Sequence, residues 1–221
     1  MTAATGLRSV SFPSGDRTLE GLLHLPREGP ASTPAAGVAV CHPHPLYGGD
    51  MHNNVVVALC RALAERGVVA LRFNFRGVGA SGGVHSRGSG ERSDALAALD
   101  YLRSLPEVDS SRIALAGYSF GAIIALLAGQ GVRAVAAVSP PAAHVRLSEI
   151  NVTCPVLMAV GDRDDIAPAD AVARLAASLG PSAEHAVVSG ADHFWAGSED
   201  RLAPLVCDFL ARHLSPSAPS P

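Results

Sequence analysis

The sequence predicts an α/β fold: a mostly parallel, doubly wound sheet behind an N-terminal antiparallel hairpin. Three observations lead there. Continuous apolar runs, as over residues 37–41 and 156–160, suit strands buried on both faces. Segments with apolar residues at helical spacing alternate with those runs. The 221 residues are 48% hydrophobic and 17% charged, enough apolar material for a large core and too little charge for global disorder.

Residues 7–12 and 18–25 read as two strands joined at the Ser14-Gly15-Asp16 turn. A Pro- and Gly-rich loop follows over 26–34. Residues 37–41 are the first buried strand. Residues 53–66 set Val56, Leu59, Cys60 and Leu63 on one helical stripe, which Gly67 stops. Residues 68–73 form the next strand, and 94–105 a helix that ends at Pro106. A strand over 112–116 leads into a helix over 120–128. Strands are expected over 134–138, 156–160 and 185–188, and helices over 169–179 and 199–213. No internal repeat or linker divides the chain. One domain over 1–214 is expected, with a disordered tail of Ser, Pro and Ala over 215–221.

Composition excludes several functions. The net charge of −3 implies no nucleic-acid partner. All 17 cationic residues are arginine, so no lysine can form a Schiff base, hold pyridoxal phosphate or serve a P-loop. Cys41, Cys60, Cys154 and Cys207 form no C-x-x-C pair and adjoin apolar runs, as buried thiols do. The first residues lack the apolar region of a signal peptide, and no apolar stretch reaches membrane-spanning length. A cytoplasmic protein with no membrane partner is expected; its oligomeric state stays open.

In such sheets the ligand site lies beyond the carboxyl ends of the strands. Gly117-Tyr-Ser-Phe-Gly121 stands there, between an expected strand and an expected helix. A serine on that sharp turn presents its hydroxyl above the sheet, and the helix N-terminus favours a developing oxyanion. The bland alternative is a glycine-flanked helix cap. Ser119 is read as a nucleophile, and it needs a base. After such an elbow the acid and then the histidine follow in chain order. His144 precedes the candidate acids, His185 begins a strand, and His213 sits in a last helical turn. His193, in the loop after the last strand, is the base. The turn after residue 160 offers Asp162, Asp164 and Asp165 as acids, and the residues alone do not choose among them.

Over roughly residues 9–214 the chain resembles the α/β-hydrolase superfamily. The resemblance rests on Gly117–Gly121, on Gly161-x-x-Asp164, on Gly190-x-x-His193 and on Phe75-Arg-Gly-Val-Gly-Ala-Ser-Gly. It implies Asp164 as the acid. Cys41-His-Pro-His-Pro-Leu-Tyr-Gly-Gly, with Met51 and Asn53, is similar to small capless bacterial serine hydrolases. That group often has Thr and Lys where this chain has Asp50 and Asn54. The resemblance implies a serine hydrolase of small ester-like substrates, through an acyl-enzyme. An acyltransferase or perhydrolase would use the same triad, and a non-catalytic binding protein the same fold.

The fold takes one oxyanion donor from the residue after the nucleophile, here Phe120, and another from the loop after residues 37–41. Pro43 and Pro45 have no N–H. His44 is therefore the expected second donor, with Leu46 as the alternative and the His44 imidazole of little account. His42-x-His44 with Asp50-x-His52 could instead ligate a metal, but no later strand end supplies a second set of His ligands. No metal is expected. Gly77, Gly79 and Gly82 have dinucleotide-loop spacing without a helix starting there, so no cofactor is expected either. Arg72, Arg76 and Arg87 are read as braces of the loop over 75–90 rather than as grips for an anion.

Overall fold

The structure, a computed structural model, describes residues 6–26 and 33–216. Much of the loop expected over 26–34 and of the tail over 215–221 lies outside the described residues. The strands are β1 (Gly6–Ser14), β2 (Arg17–Leu25), β3 (Ala35–Cys41), β4 (Val69–Phe73), β5 (Val108–Tyr118), β6 (Val135–Val138), β7 (Val156–Gly161) and β8 (Ala183–Val188). They form one sheet in the order β1-β2-β4-β3-β5-β6-β7-β8. The hairpin β1–β2 is antiparallel and docks antiparallel on β4. The strands from β4 through β3 to β8 are parallel.

The helices are α1 (Asn54–Glu65), α2 (Ser89–Ser104), α3 (Phe120–Ala128), α4 (Ala169–Ser178) and α5 (Glu199–Leu214). Side chains of a strand alternate between faces, and here both faces are covered. Ala39 and Cys41 of β3, with Leu71 and Phe73 of β4, pack under Leu99 of α2 and Ile124 of α3. Val38 and Val40 of β3 face Leu59 of α1 and Phe209 of α5 instead. That two-sided burial is why the strands read as unbroken apolar runs.

Most boundaries fall within two residues of the sequence reading; two differ by more. Helix α2 starts at Ser89 rather than at residue 94. Its first turn, Ser-Gly-Glu, is poor in helix formers, and Glu91 secures it by accepting from the Gly88 N–H at 2.8 Å. Strand β5 starts at Val108, which pairs with Ala35 of β3; the polar, partly exposed Asp-Ser-Ser stretch that follows falls at a register shift before Ile113 pairs with Gly37. Between β6 and β7 lie only the single turns Ala142–His144 and Leu147–Glu149, so among the described residues no cap covers the sheet ends. Among the described residues no helix is long and apolar enough to cross a membrane.

Candidate active site

One residue separates the end of β5 from the start of α3. That residue, Ser119, takes φ 55° and ψ −117°, a backbone state costly for any side chain but glycine. The flanking glycines make the turn fit. A Cβ on Gly117 would lie 2.1 Å from the Gly121 carbonyl oxygen, and one on Gly121 would lie 2.3 Å from that of Cys41. The G-x-S-x-G spacing thus lets α3 press on its own strand and on the end of β3. The Ser119 N–H donates to Val138 at 2.8 Å, which fixes the turn to β6.

From this turn a hydrogen-bonded chain runs inward. Ser119 Oγ lies 3.0 Å from His193 Nε2, and His193 Nδ1 lies 2.9 Å from both carboxylate oxygens of Asp164. Ser119, His193 and Asp164 are 9%, 7% and 4% exposed, so the chain is shielded but open at the serine end. Asp164 Oδ1 also accepts from the N–H groups of Ile166 and Ala167, at 3.0 and 2.7 Å. Burial alone would raise the Asp164 carboxyl. Hydrogen bonds from His193, the Ala167 N–H and the Ser139 hydroxyl outweigh it and hold the group below its usual range. An ionised Asp164 favours the proton on His193 Nδ1, which leaves the Nε2 lone pair facing the serine hydroxyl.

The other two aspartates of the turn do different work. Asp162 is exposed and accepts from the Ser189 hydroxyl and the Gly190 N–H, at 2.8 and 2.6 Å, which ties the turn after β7 to the loop after β8. Asp165 is exposed. Sequence reasoning missed three supports. Trp195 Nε1 donates to Ser139 Oγ at 3.0 Å, which aims that hydroxyl at Asp164. Ser139 and Trp195 both have positive φ, 47° and 60°. Tyr118 donates to the His193 carbonyl at 2.6 Å. The signals available were position: Ser139 directly follows β6, Tyr118 directly precedes the nucleophile, and Trp195 stands two residues beyond the histidine.

The two histidines of the loop after β3 divide. His42 is buried, with Nδ1 2.7 Å from the Pro43 carbonyl and Nε2 accepting the Phe75 N–H at 3.0 Å. Both ring nitrogens are spent, and burial pushes His42 down to about 4. It cannot serve a metal in that state. Among the described residues no group of three or more His, Cys, Asp or Glu side chains gathers to hold one. The His44 side chain accepts the Leu46 N–H at 3.2 Å, so the alternative oxyanion donor is occupied. Neither the His44 N–H nor the Phe120 N–H meets an acceptor among the described residues. The His44 ring, expected to be of little account, packs 4.8 Å from the Phe120 ring.

The arginines divide as well. Arg76 makes a buried two-pronged contact with Asp94, at 2.9 and 2.7 Å, and braces its loop. Arg72 is spent on His24 and the Met51 carbonyl, at 2.9 Å each. Arg87 is exposed. Beside the His44 loop lies an open cleft of about 480 Å³, walled by Pro45, Leu46, Val84 and His85.

A model of the dienelactone hydrolase family matches residues 29–203. An uncharacterized protein of Rickettsia prowazekii is 36% identical over 214 residues, covering 91% of this chain and 87% of that protein. Among solved structures, an α/β serine hydrolase homologue from Coxiella burnetii is 34% identical, with a TM-score of 0.80 and coverage of 97% and 100%. A lidless α/β serine hydrolase from Xanthomonas campestris is 29% identical, with a TM-score of 0.83 and coverage of 99% of each chain.

Proposed function

The chain belongs to the dienelactone hydrolase family, and we propose that within it Ser119 is the nucleophile, His193 the general base and Asp164 the orienting acid of a serine hydrolase. The observation that carries this is the unbroken chain Ser119–His193–Asp164 at 3.0 and 2.9 Å on a strained strand-to-helix turn. Ser119 Oγ attacks an ester-like carbonyl as its proton passes to His193 Nε2. The tetrahedral oxyanion takes hydrogen bonds from the N–H groups of Phe120 and His44. Collapse breaks the bond to the leaving group, which departs with the proton from His193. Water then loses a proton to His193 and attacks the acyl carbon; as the acyl–Oγ bond breaks, Ser119 takes that proton back from His193 and the acid is released.

An uncapped site supports small, freely diffusing esters as substrates. A cytoplasmic location belongs to the same proposal, supported by four cysteines that are all free and buried. A fluorophosphonate should label Ser119, and a panel of nitrophenyl esters of graded chain length should find turnover. Ser119→Ala and His193→Ala should each lower kcat by roughly 10⁴ to 10⁶, with the double variant hardly worse. Near wild-type rates for either single variant would overturn the assignment. Competition between water and an added alcohol separates hydrolysis from acyl transfer, and absence of labelling would make the protein a non-catalytic binder.

A further inference from the structure

The two proposed oxyanion donors lie far apart in sequence and on different elements. His44 belongs to the loop after β3, and Phe120 opens α3. Their rings touch, with centroids 4.8 Å apart. A third ring closes the group: His85 lies 4.9 Å from His44 and 5.7 Å from Phe120. His85 comes from a third segment, the loop between β4 and α2. Each of the other two residues offers a backbone N–H to the substrate; His85 contributes its ring to the packing between them.

His85 is itself held from behind. Its Nδ1 lies 2.9 Å from Glu91 Oε1. The approach is off the hydrogen-bond line, so Nδ1 has no formal acceptor, and the ring rests on the carboxylate as a close polar contact. Glu91 is fully buried, in the first turn of α2. It accepts from the Ser86 N–H at 2.9 Å, the Ser86 hydroxyl at 3.0 Å and the Gly88 N–H at 2.8 Å. Burial would raise its carboxyl, but these donors hold it below the usual range, so a fixed negative charge sits beneath His85. A buried charge is costly unless so compensated, and the helix N-terminus adds to the compensation.

We propose that His85, anchored by Glu91, is a positioning residue for the oxyanion hole: it wedges the His44 loop against the start of α3 and so fixes the two N–H donors relative to each other. The inference rests on the Ser119 reading above. Oxyanion donors work only when preorganised to within a fraction of an ångström of where the charge develops. The loop's entry is pinned at His42, which accepts the Phe75 N–H, but from His44 to Gly49 its other hydrogen bonds and ring contacts among the described residues are its own, the Tyr47 ring 4.9 Å from His44 included. Leu46 donates to the His44 side chain itself, and the hydrogen bonds from Tyr47 and Gly49 to the His44 carbonyl are internal to the loop.

Two substitutions separate the ring from its charge contact. His85→Phe keeps the wedge and loses the contact with Glu91. His85→Gln keeps a polar partner for Glu91 and loses the wedge. Both are compared with the wild-type chain in ester hydrolysis and in inhibition by phenylboronic acid, whose serine adduct places an oxygen in the oxyanion hole. Thermal unfolding reports whether each variant is folded. His85→Gln should lower kcat by about 10- to 100-fold, part of the cost of one lost donor. Its KM should stay within about threefold, and its boronate Ki should rise by the same factor as kcat falls. His85→Phe should recover kcat to within about fivefold of wild type. A folded His85→Gln variant with wild-type kcat overturns the proposal. So does a loss confined to KM, or a His85→Phe variant as slow as His85→Gln. Should the Gln variant not fold, His85→Ala takes its place as the variant without the ring: a folded His85→Ala whose kcat and boronate affinity both fall, beside a near wild-type His85→Phe, sustains the wedge, and a His85→Ala with wild-type kcat refutes it. The wild-type control keeps the two readings apart. If wild type is neither labelled at Ser119 nor active, the hydrolase assignment fails; if it is both and only the His85 pattern is absent, this inference fails by itself.

Discussion

Mild acid should destabilise this protein through two buried histidines, well before its carboxylates protonate. His42 and His24 are 0% and 2% exposed, and each is pushed from 6.5 down to about 4, chiefly by burial. For His42 the geometry adds a reason. Its Nε2 accepts the Phe75 N–H, so a proton there would set donor against donor. Both folded values are depressed, so between pH 6.5 and 4 the unfolded chain binds protons that the folded chain refuses. Stability is then complete above about pH 6.5 and falls as pH falls, by up to about 1.4 kcal/mol per histidine per pH unit. At pH 5 the pair removes about 4 kcal/mol, a large part of a typical total of about 5–15 kcal/mol. Asp164 and Glu91 are held below their usual range, so their stabilisation is lost only at lower pH. Urea unfolding at pH 7, 6 and 5 should show the midpoint dropping across this window, and His42→Gln should flatten about half the slope. NMR of the imidazole should find His42 neutral at pH 5. A midpoint unchanged between pH 6.5 and 5, or a His42 ring titrating near 6.5, refutes the reasoning.

Three further outcomes concern catalysis. Asp164→Asn should lower kcat by about 10⁴, because an amide favours the wrong imidazole tautomer, whereas Asp162→Asn and Asp165→Asn should cost less than about tenfold; steady-state kinetics on a nitrophenyl ester decides, and a larger loss at Asp162 would displace the acid. His44→Pro should cost roughly 10² to 10³ in kcat by deleting one oxyanion donor, while His44→Ala, which keeps the N–H and loses the ring, should cost about tenfold; equal losses in folded variants would remove the His44 N–H from the mechanism. With only single helical turns between β6 and β7, the rate should rise smoothly as an ester passes from monomers to micelles, and a sharp jump at the micellar concentration would reveal a moving cover.

The parts of this molecule legible in its sequence are those fixed by periodicity and by chain order. Strands buried on both faces leave continuous apolar runs, and a serine between glycines at a strand end leaves a short, oriented motif. His193 was legible because it alone follows both the nucleophile and the acids in a loop at a strand end. Asp164 was not legible from the residues, since three aspartates in one turn look alike; only the resemblance singled it out. The turn itself makes the difference, pointing Asp164 inward onto the Ala167 N–H while Asp162 reaches across to Gly190. The His42-x-His44 pair invited a metal reading because alternate residues of a strand share a face. The strand ends at Cys41, however, and Pro43 turns the chain, so one ring goes under Phe75 and the other to Phe120. His85 and Glu91 left no signal at all: they are six residues apart across an irregular loop, where no period applies. Inspecting strand ends therefore finds the groups that react and some that hold them, Tyr118 and Ser139, but not those that enter from helix starts and loops, whose contacts only the fold creates. In this site Glu91 is the clearest case: a fully buried charge at the first turn of α2, reaching the oxyanion loop through the ring of His85.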